Sequence, residues 1–318
     1  MVSGADPPWS PPGPIVECVP NFSEGTRPAV MDAIQAAASS VHGAAVLDRH
    51  ADPVHNRMVL TIAGSAGAVA EAAFRATARA AALIDLNVHR GVHPRIGATD
   101  VLPFVPLGAT NMQACIELAR RLGRRIAAEL GLPVYLYGEA ATSGDRRRLA
   151  DVRRGEFERL RADLATDSRL APDFGPCRIG PAGATAVGAR LPLIAFNVTL
   201  ATGDLSVARA IARSVRESGG GLPGVQARGF PTADPAIVQV SMNLLDVRRT
   251  PMAVVFERVR QEAALQRVEV LESELVGLAP AEALVDVARQ ALQFGRLDAN
   301  AVLETRLLEQ ALGYLGGP

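Results

Sequence analysis

The chain contains no lysine, so all 33 of its basic residues are arginine. That excludes a Schiff-base lysine and a P-loop lysine, and with them whole classes of covalent and nucleotide chemistry. Cysteine is scarce: Cys18, Cys115 and Cys177 are odd in number, far apart, and form no C-x-x-C pair. This pattern argues against a disulfide framework or a cysteine zinc site and suits a reducing cytoplasm, with Cys18 and Cys115 read as core. Net charge is also missing, because 33 acidic residues balance the 33 arginines. The simple electrostatic case for nucleic acid or an anionic membrane surface falls with it. No apolar stretch reaches about 18 residues without a charge, so no membrane span is expected. Residues 1–14 are rich in proline and small side chains and have neither a basic nor an apolar leader region. They read as a disordered tail rather than a signal peptide.

What is present is a chain able to fold. Apolar residues make up 48% and charged residues 21% of 318 positions, enough for a core and about two domains of roughly 150 residues each. Periodicity predicts a strand over 15–19, a helix over 27–39 with Ser23 and Thr26 as capping residues, strands over 44–48 and 57–63, a helix over 66–86 and a strand over 100–105. Between the second and third strands, residues 50–57 read as a polar loop. This order is β-α-β-β-α-β, the ferredoxin-like unit. A helix over 111–130 and a strand over 134–137 follow, then an exposed basic turn over 138–154. The glycines and prolines of residues 171–185 forbid a regular element and mark the domain junction.

The second half repeats the architecture with little residue-level similarity. It has strands over 193–198, 225–230, 237–244 and 268–271, helices over 205–218 and 251–266, and closing helices over 280–292 and 300–312. The fold expected is α+β: two ferredoxin-like (βαββαβ) subdomains with mixed sheets facing an interdomain cleft. The expected divisions are a tail over 1–14 and subdomains over 15–172 and 173–318. Clefts of this kind are common ligand sites.

Chemistry concentrates in Asp85-Leu-Asn-Val-His-Arg-Gly-Val-His-Pro-Arg-Ile-Gly-Ala-Thr-Asp100, which holds two of only five histidines. His89 and His93 are four apart, but Gly91 and Pro94 make a helical metal-binding face a poor fit. His50, Asp52 and His55 in the neighbouring loop would be the other ligands of such a site; proton transfer by an imidazole fits better, and no metal is expected. On spacing alone, His93 is equally a catalytic residue or a structural turn histidine. Asn56-Arg57 either clamps a carboxylate or closes an interior ion pair, and Arg95 and Arg190 carry the same ambiguity. The glycine-rich segment 175–183 has neither a Walker nor a Rossmann pattern, and no G-x-S-x-G elbow occurs.

The residues go further by resemblance. Val16-Glu-Cys-Val-Pro-Asn-Phe-Ser-Glu-Gly25, Asn56-Arg57, Gly91-Val-His-Pro-Arg-Ile-Gly-Ala-Thr-Asp100, Pro133-Val-Tyr-Leu-Tyr-Gly-Glu-Ala-Ala141, Pro172-Asp-Phe-Gly-Pro176, Gly183-Ala-Thr-Ala186, Gly188-Ala-Arg190 and Ala195-Phe-Asn197 occur in order. Together they resemble the glutamate formimidoyltransferase family, in particular the transferase half of the bifunctional formimidoyltransferase-cyclodeaminases. The similarity runs from about residue 16 to residue 278. It implies transfer of a formimino group between N-formimino-L-glutamate and tetrahydrofolate in histidine degradation, without the cyclodeaminase activity. His93 then corresponds to the family's catalytic histidine. Gly175, Pro176, Cys177, Arg178, Ile179, Gly180, Pro181, Ala182 and Gly183 correspond to its folate-contacting segment, here one residue shorter.

The resemblance further implies a cytoplasmic homodimer with tetrahydrofolate as co-substrate. Arg57, Arg95 and Arg190 are candidates for holding substrate carboxylates, and His50 and Asp52 for orienting or sharing the proton work. His50 stands where the vertebrate-type pattern has an acid. Two other activities fit the same residues: a folate-dependent formyl transferase and a non-catalytic folate-binding protein.

Overall fold

A computed structural model of the chain describes residues 15–108 and 110–306. The expected tail and residues 307–312 of the last expected helix lie outside the described residues. The rest divides into two compact units between Arg190 and Leu191.

The first unit opens with a strand that proline interrupts. β1 (Ile15–Cys18) and β2 (Asn21–Phe22) flank Pro20, which has no N–H to give a sheet ladder. After α1 (Pro28–Ser39) come β3 (Ala44–Asp52) and β4 (Arg57–Ser65), then α2 (Ala66–Leu83) and β5 (Thr99–Pro106). Both β1 and β2 pair antiparallel with β4 and β5, and β3 pairs with β4, so the order β3-β4-β1/β2-β5 is ferredoxin-like. α3 (Met112–Leu130), β6 (Val134–Gly138), α4 (Leu149–Val152), α5 (Glu156–Asp163) and β7 (Thr185–Ala189) follow. β7 pairs parallel with both β5 and β6, making a mixed sheet of seven strands. Because β7 is a strand of this sheet, the first unit runs on past the junction expected at residue 172.

Period-two alternation divides the sheet's side chains between two environments. Val16 and Cys18 of β1, Met58, Leu60 and Ile62 of β4, and Leu102 and Phe104 of β5 are buried with the apolar stripes of α1, α2 and α3. α2 achieves this with small residues, burying Ala72, Ala73, Ala76 and Ala80 beside Val69 and Phe74. On the opposite face Val101, Tyr135, Tyr137 and Ala186 form a smaller core with Ile96 and Leu160. The same face also carries polar side chains. It presents Glu17, Asn21 and Arg57, and beyond Arg57 its sheet partner Asp52 on β3.

β3 is longer than its sequence suggested. It runs to Asp52, with a register shift between Val46 and Asp48, so His50 is a strand residue paired with Val59 rather than part of a loop. The true connection is 53–56. The segment expected to be an exposed basic turn also differs: Arg146 and Arg153 turn inward, with side chains 18% and 15% exposed, because Asp173 and Asp100 pair with them.

The second unit contains β8 (Ile194–Leu200), α6 (Leu205–Val215), β9 (Val225–Pro231), β10 (Val238–Leu244), α7 (Met252–Leu265), β11 (Val270–Val276) and α8 (Ala281–Ala291). Its order β11-β8-β10-β9 repeats the ferredoxin-like arrangement. Every pairing here is antiparallel, so only the first of the two sheets is mixed. The reason is topological: the crossovers through α6 and α7 join parallel strands that are not neighbours, because β10 lies between β8 and β9 and β8 lies between β10 and β11. Val238, Val240, Met242 and Leu244 face the core in the alternation expected for β10.

Candidate active site

Three connections of the first unit interlock around His93. Ser23 follows β2, residues 53–56 join β3 to β4, and residues 84–98 join α2 to β5. Ser23 and Thr26 do not cap α1, whose N-cap Arg27 has no side-chain cap at all. Instead, Ser23 donates through Oγ to the Gly97 carbonyl at 2.7 Å, and its N–H donates to the Ala98 carbonyl at 2.9 Å. Thr26 turns to Glu24, whose carboxylate, 1% exposed, also accepts from the Arg27 amide at 2.8 Å and from its Nε at 2.5 Å. Burial by itself would raise the Glu24 carboxyl; the Arg27 side chain and the Thr26 and Arg27 amides outweigh it and hold it low.

Asn56 ties the three connections together. Its Oδ1 accepts from Gly25 N–H at 2.8 Å, its Nδ2 donates to the Arg90 carbonyl at 2.7 Å, and its own carbonyl accepts from His89 Nε2 at 3.1 Å. Its φ of +48° is a left-handed conformation that asparagine tolerates. Gly91 is required by close approach, since a Cβ there would stand 2.5 Å from the His55 carbonyl oxygen.

The two histidines of the 84–98 connection then separate by environment. His89 is 8% exposed and uses both ring nitrogens: Nε2 donates to Asn56 and Nδ1 accepts from Arg95 Nε at 3.3 Å. It is a brace. His93 lines a small pocket shared with Phe22, Ser23, His55, Asn56, Arg57, His89, Arg95 and Asp100. Arg57 Nη1 donates to His93 Nε2 at 2.8 Å, which makes Nε2 the unprotonated nitrogen. Burial, then the charges of Arg57 and Arg153, hold His93 far below the ordinary imidazole range, and the Pro94 carbonyl opposes them only weakly. The ring is therefore neutral. Burial also lowers Arg57 to about 10, helped by Arg153 and opposed by Asp100 and Asp52.

Other candidates are distributed around this centre. Asp52 accepts from Val54 N–H at 2.7 Å and His55 N–H at 2.9 Å through Oδ1, and from His55 Nδ1 at 2.5 Å through Oδ2. Against the cost of burial, those bonds draw the Asp52 carboxyl down to about 2. The His55 and His93 rings stand 6.2 Å apart, centroid to centroid, edge to face at 71°. His50 lies one strand step beyond Asp52 on β3 and is not among the pocket's lining residues. Arg95 reaches the pocket wall, but its guanidinium is held by Glu156 at 3.1 Å and by Glu158 at 2.7 and 2.9 Å. Arg190 is elsewhere, at the end of β7 beside Glu17 and Tyr137. Burial raises the Glu17 carboxyl and lifts the Tyr137 hydroxyl to about 12, with Arg190 opposing both.

Segment 175–183 has no regular structure, as its composition dictates. Its far end is tied to the connection that carries His93. Leu86 N–H donates to the Pro181 carbonyl, Ala98 N–H to the Ala182 carbonyl and Ala184 N–H to the Ile96 carbonyl, all at 2.8 Å. A Cβ on Gly97 would stand 1.8 Å from the Ala184 carbonyl oxygen, and one on Gly183 would stand 2.2 Å from that of Ile96. Cys177, Arg178, Gly180 and Pro181 are exposed along this run.

Sequence reasoning named His55 only as a possible metal ligand, and did not single out Arg153, Asp100, Glu156 or Glu158 as site residues. For His55 there was a signal: Asp52-Pro-Val-His55 is an Asx-Pro turn, which brings the fourth residue back onto the first. For the rest there was none, because their partners are distant in the chain. Among the described residues, no group of three or more His, Cys, Asp or Glu side chains could hold a metal ion. Among the described residues, no helix is long and apolar enough to cross a membrane.

Comparisons with known proteins agree with this arrangement. The family model for the formiminotransferase domain, N-terminal subdomain, matches residues 15–190, and that for the formiminotransferase domain matches residues 195–316. A glutamate formimidoyltransferase of Thermoplasma acidophilum is 45% identical over 299 residues, covering 93% of this chain and 98% of that protein. One of Streptococcus pyogenes serotype M1 is 45% identical over 296 residues, covering 92% and 99%. A formimidoyltransferase-cyclodeaminase of Mus musculus is 44% identical over 281 residues, covering 86% of this chain and 52% of that longer protein. With both subdomains matched over nearly all of the described residues, the chain belongs to the formiminotransferase-domain family.

Proposed function

We propose that the protein transfers a formimino group between N-formimino-L-glutamate and tetrahydrofolate, and that His93 carries the proton traffic. The observation that carries this reading is the state of His93. It is half-buried, neutral, and presents an unprotonated Nε2 toward Arg57 inside a pocket. A nitrogen that attacks an amidine carbon must lose a proton, and a neutral imidazole is the side chain suited to take it.

In the ligand-free arrangement the Nε2 lone pair is occupied by Arg57. A substrate carboxylate drawn to Arg57 and Arg153 would do two things at once. It would orient the donor by charge-assisted hydrogen bonds, and it would offset the positive charge that suppresses the basicity of His93. Arg95 would serve differently, as the brace that Glu156 and Glu158 hold against His89. Asp52 is a carboxylate at neutral pH, placed to act through His55.

Tetrahydrofolate, as co-substrate, supplies the nucleophilic nitrogen. The exposed run from Cys177 to Pro181 fits a ligand of that length, since its end is hydrogen-bonded to residues 96–98 a few positions after His93. A homodimer in the cytoplasm, serving histidine degradation without a resident metal, completes the reading on family grounds.

The test is a spectroscopic transfer assay with formiminoglutamate and tetrahydrofolate, run alongside a formyl donor and in the presence of a strong chelator. Transfer from the formimino donor that survives chelation supports the reading. Preference for the formyl donor, or folate binding without transfer, overturns it.

A further inference from the structure

We propose that His55, oriented by Asp52, is a second catalytic residue: it gives the departing nitrogen of the donor its proton, while His93 accepts the proton of the attacking nitrogen. The inference rests on the formimino-transfer reading above and concerns how its two proton transfers are divided.

Geometry separates the two rings by role. Both line the same pocket, and their centroids stand 6.2 Å apart in an edge-to-face pose, so one ligand held in that pocket lies within reach of both rings. His93 is served by a cation, because Arg57 donates to its Nε2. His55 is served by an anion, because its Nδ1 meets Asp52 Oδ2 at 2.5 Å. A cation beside an imidazole favours the neutral ring; a carboxylate beside one stabilises the imidazolium and directs the opposite nitrogen outward. The partner that each ring meets therefore fits it to a different half of the proton traffic.

The support around His55 is that of a positioned residue. Oδ1 of Asp52 is fixed by the Val54 and His55 amides, leaving Oδ2 for the ring. The backbone at His55 and Asn56 is fixed in turn by the approach of Gly91 and by the Asn56 bonds to Gly25 and Arg90. Arg57 and Asp100 are the other charged groups facing the pocket, with Arg95 at its wall.

The atoms balance without an oxidant or reductant. The acceptor nitrogen forms a bond to the amidine carbon and its proton passes to His93 Nε2. The bond from that carbon to the glutamate nitrogen then breaks, and its electron pair stays on that nitrogen. A proton from His55 Nε2 completes the departing amine. The proton held by His93 returns to His55 through solvent before the next turnover.

The experiment measures kcat and KM for the wild type, His55→Gln, Asp52→Asn and His93→Gln with formiminoglutamate, with and without added imidazole. It repeats them with a formimino donor that is an aryl formimidate, whose leaving group is a para-nitrophenolate. His55→Gln should lose about 100-fold in kcat with KM little changed, and added imidazole should recover part of that loss. Asp52→Asn keeps the ring and should lose about tenfold, which preserves the test should His55→Gln not fold. The phenolate leaves as an anion without needing a proton, so with that donor both variants should approach the wild type while His93→Gln stays impaired. A His55→Gln variant within about threefold of wild type overturns the inference. So does a loss that neither imidazole nor the aryl formimidate relieves, since that is the mark of a structural brace. An inactive wild type overturns the formimino-transfer reading itself and this inference with it.

Discussion

The two units share a strand order and differ in what their connections do. In the first unit the helix-to-strand connection between α2 and β5 takes residues 84–98 and carries His89, His93 and Arg95. In the second, the corresponding connection between α7 and β11 takes only residues 266–269. The hairpins make a closer pair. Asp52-Pro-Val-His55 follows β3, and Asp234-Pro-Ala-Ile237 follows β9. Each aspartate accepts from the amide two residues on, at 2.7 Å for Val54 and 2.8 Å for Ala236. The fourth residue is an imidazole that returns to Asp52 in one and an isoleucine in the other.

Helix starts follow the same rule. Asp204 caps α6 by accepting from Ser206 N–H at 2.8 Å, whereas Ser23 and Thr26 leave α1 uncapped and brace the site. Buried polar residues of the second unit are the neutral Asn197 and Thr250; those of the first include Glu24, His89, Arg95 and Asp100. One scaffold thus supports an ordinary turn or a reactive one. The difference lies in a few side chains diverted from local structure to each other.

The sharpest way to break this contrast is His93→Gln. Its kcat should fall by about 1000-fold or more, while folate affinity by equilibrium binding stays close to wild type. Full activity in that variant would remove the first unit's claim to the chemistry. Next is Gly97→Ala. Its Cβ would stand 1.8 Å from the Ala184 carbonyl oxygen, so it should cost on the order of 1–3 kcal/mol in denaturant unfolding and weaken folate binding together. Stability lost without any change in folate affinity would detach segment 175–183 from the site. Val240→Ala, in the fully buried core of the second sheet, should cost about 2 kcal/mol of stability and leave the pH profile of turnover unmoved. A shifted profile would mean that the second unit's packing tunes the chemistry after all.

Smaller effects sharpen the electrostatics. Arg57→Met removes one of the cations that suppress His93, so the acid limb of kcat/KM should move to higher pH. A limb that stays in place would leave burial and the remaining neighbouring charges, Arg153 foremost, as the cause. The sign for stability follows from linkage. His93 is held neutral in the folded state, so below about pH 6.5 the unfolded chain binds the extra proton. Its contribution is present above that pH and lost as the pH falls. The thermal midpoint of the wild type should therefore decline below about pH 6.5 more steeply than that of His93→Gln.

The ferredoxin-like order of both units could be read from alternation in β4 and β10 and from the alanine-rich stripe of α2, since those signals are local. The mixed character of the first sheet was also within reach, because β6 and β7 arrive by crossovers. The uniformly antiparallel second sheet was not separated from it, and β3 was cut short because His50 and Asp52 look like loop residues. Their polarity reflects the open polar face onto which they point. At the site, His93 and Arg57 were legible as candidates but their contact was not: they are 36 residues apart. Arg95, read as either a carboxylate clamp or the partner in an interior ion pair, is held by Glu156 and Glu158, more than 60 residues on. No window of sequence contains both partners of such a pair.

The sequence by itself determined the periodicities that build two βαββαβ units, the concentration of histidine before residue 94, and the family pattern that singles out His93. It did so because strand alternation, helix stripes and turn chemistry act within a few residues of each other. Tertiary structure alone decided which ionisable groups meet. It gave Arg57 to His93 and Arg153 to Asp100, and it left His89 a brace. Those choices depend on burial and on distances between segments far apart in the chain, where a charge's partner, more than its identity, sets its protonation.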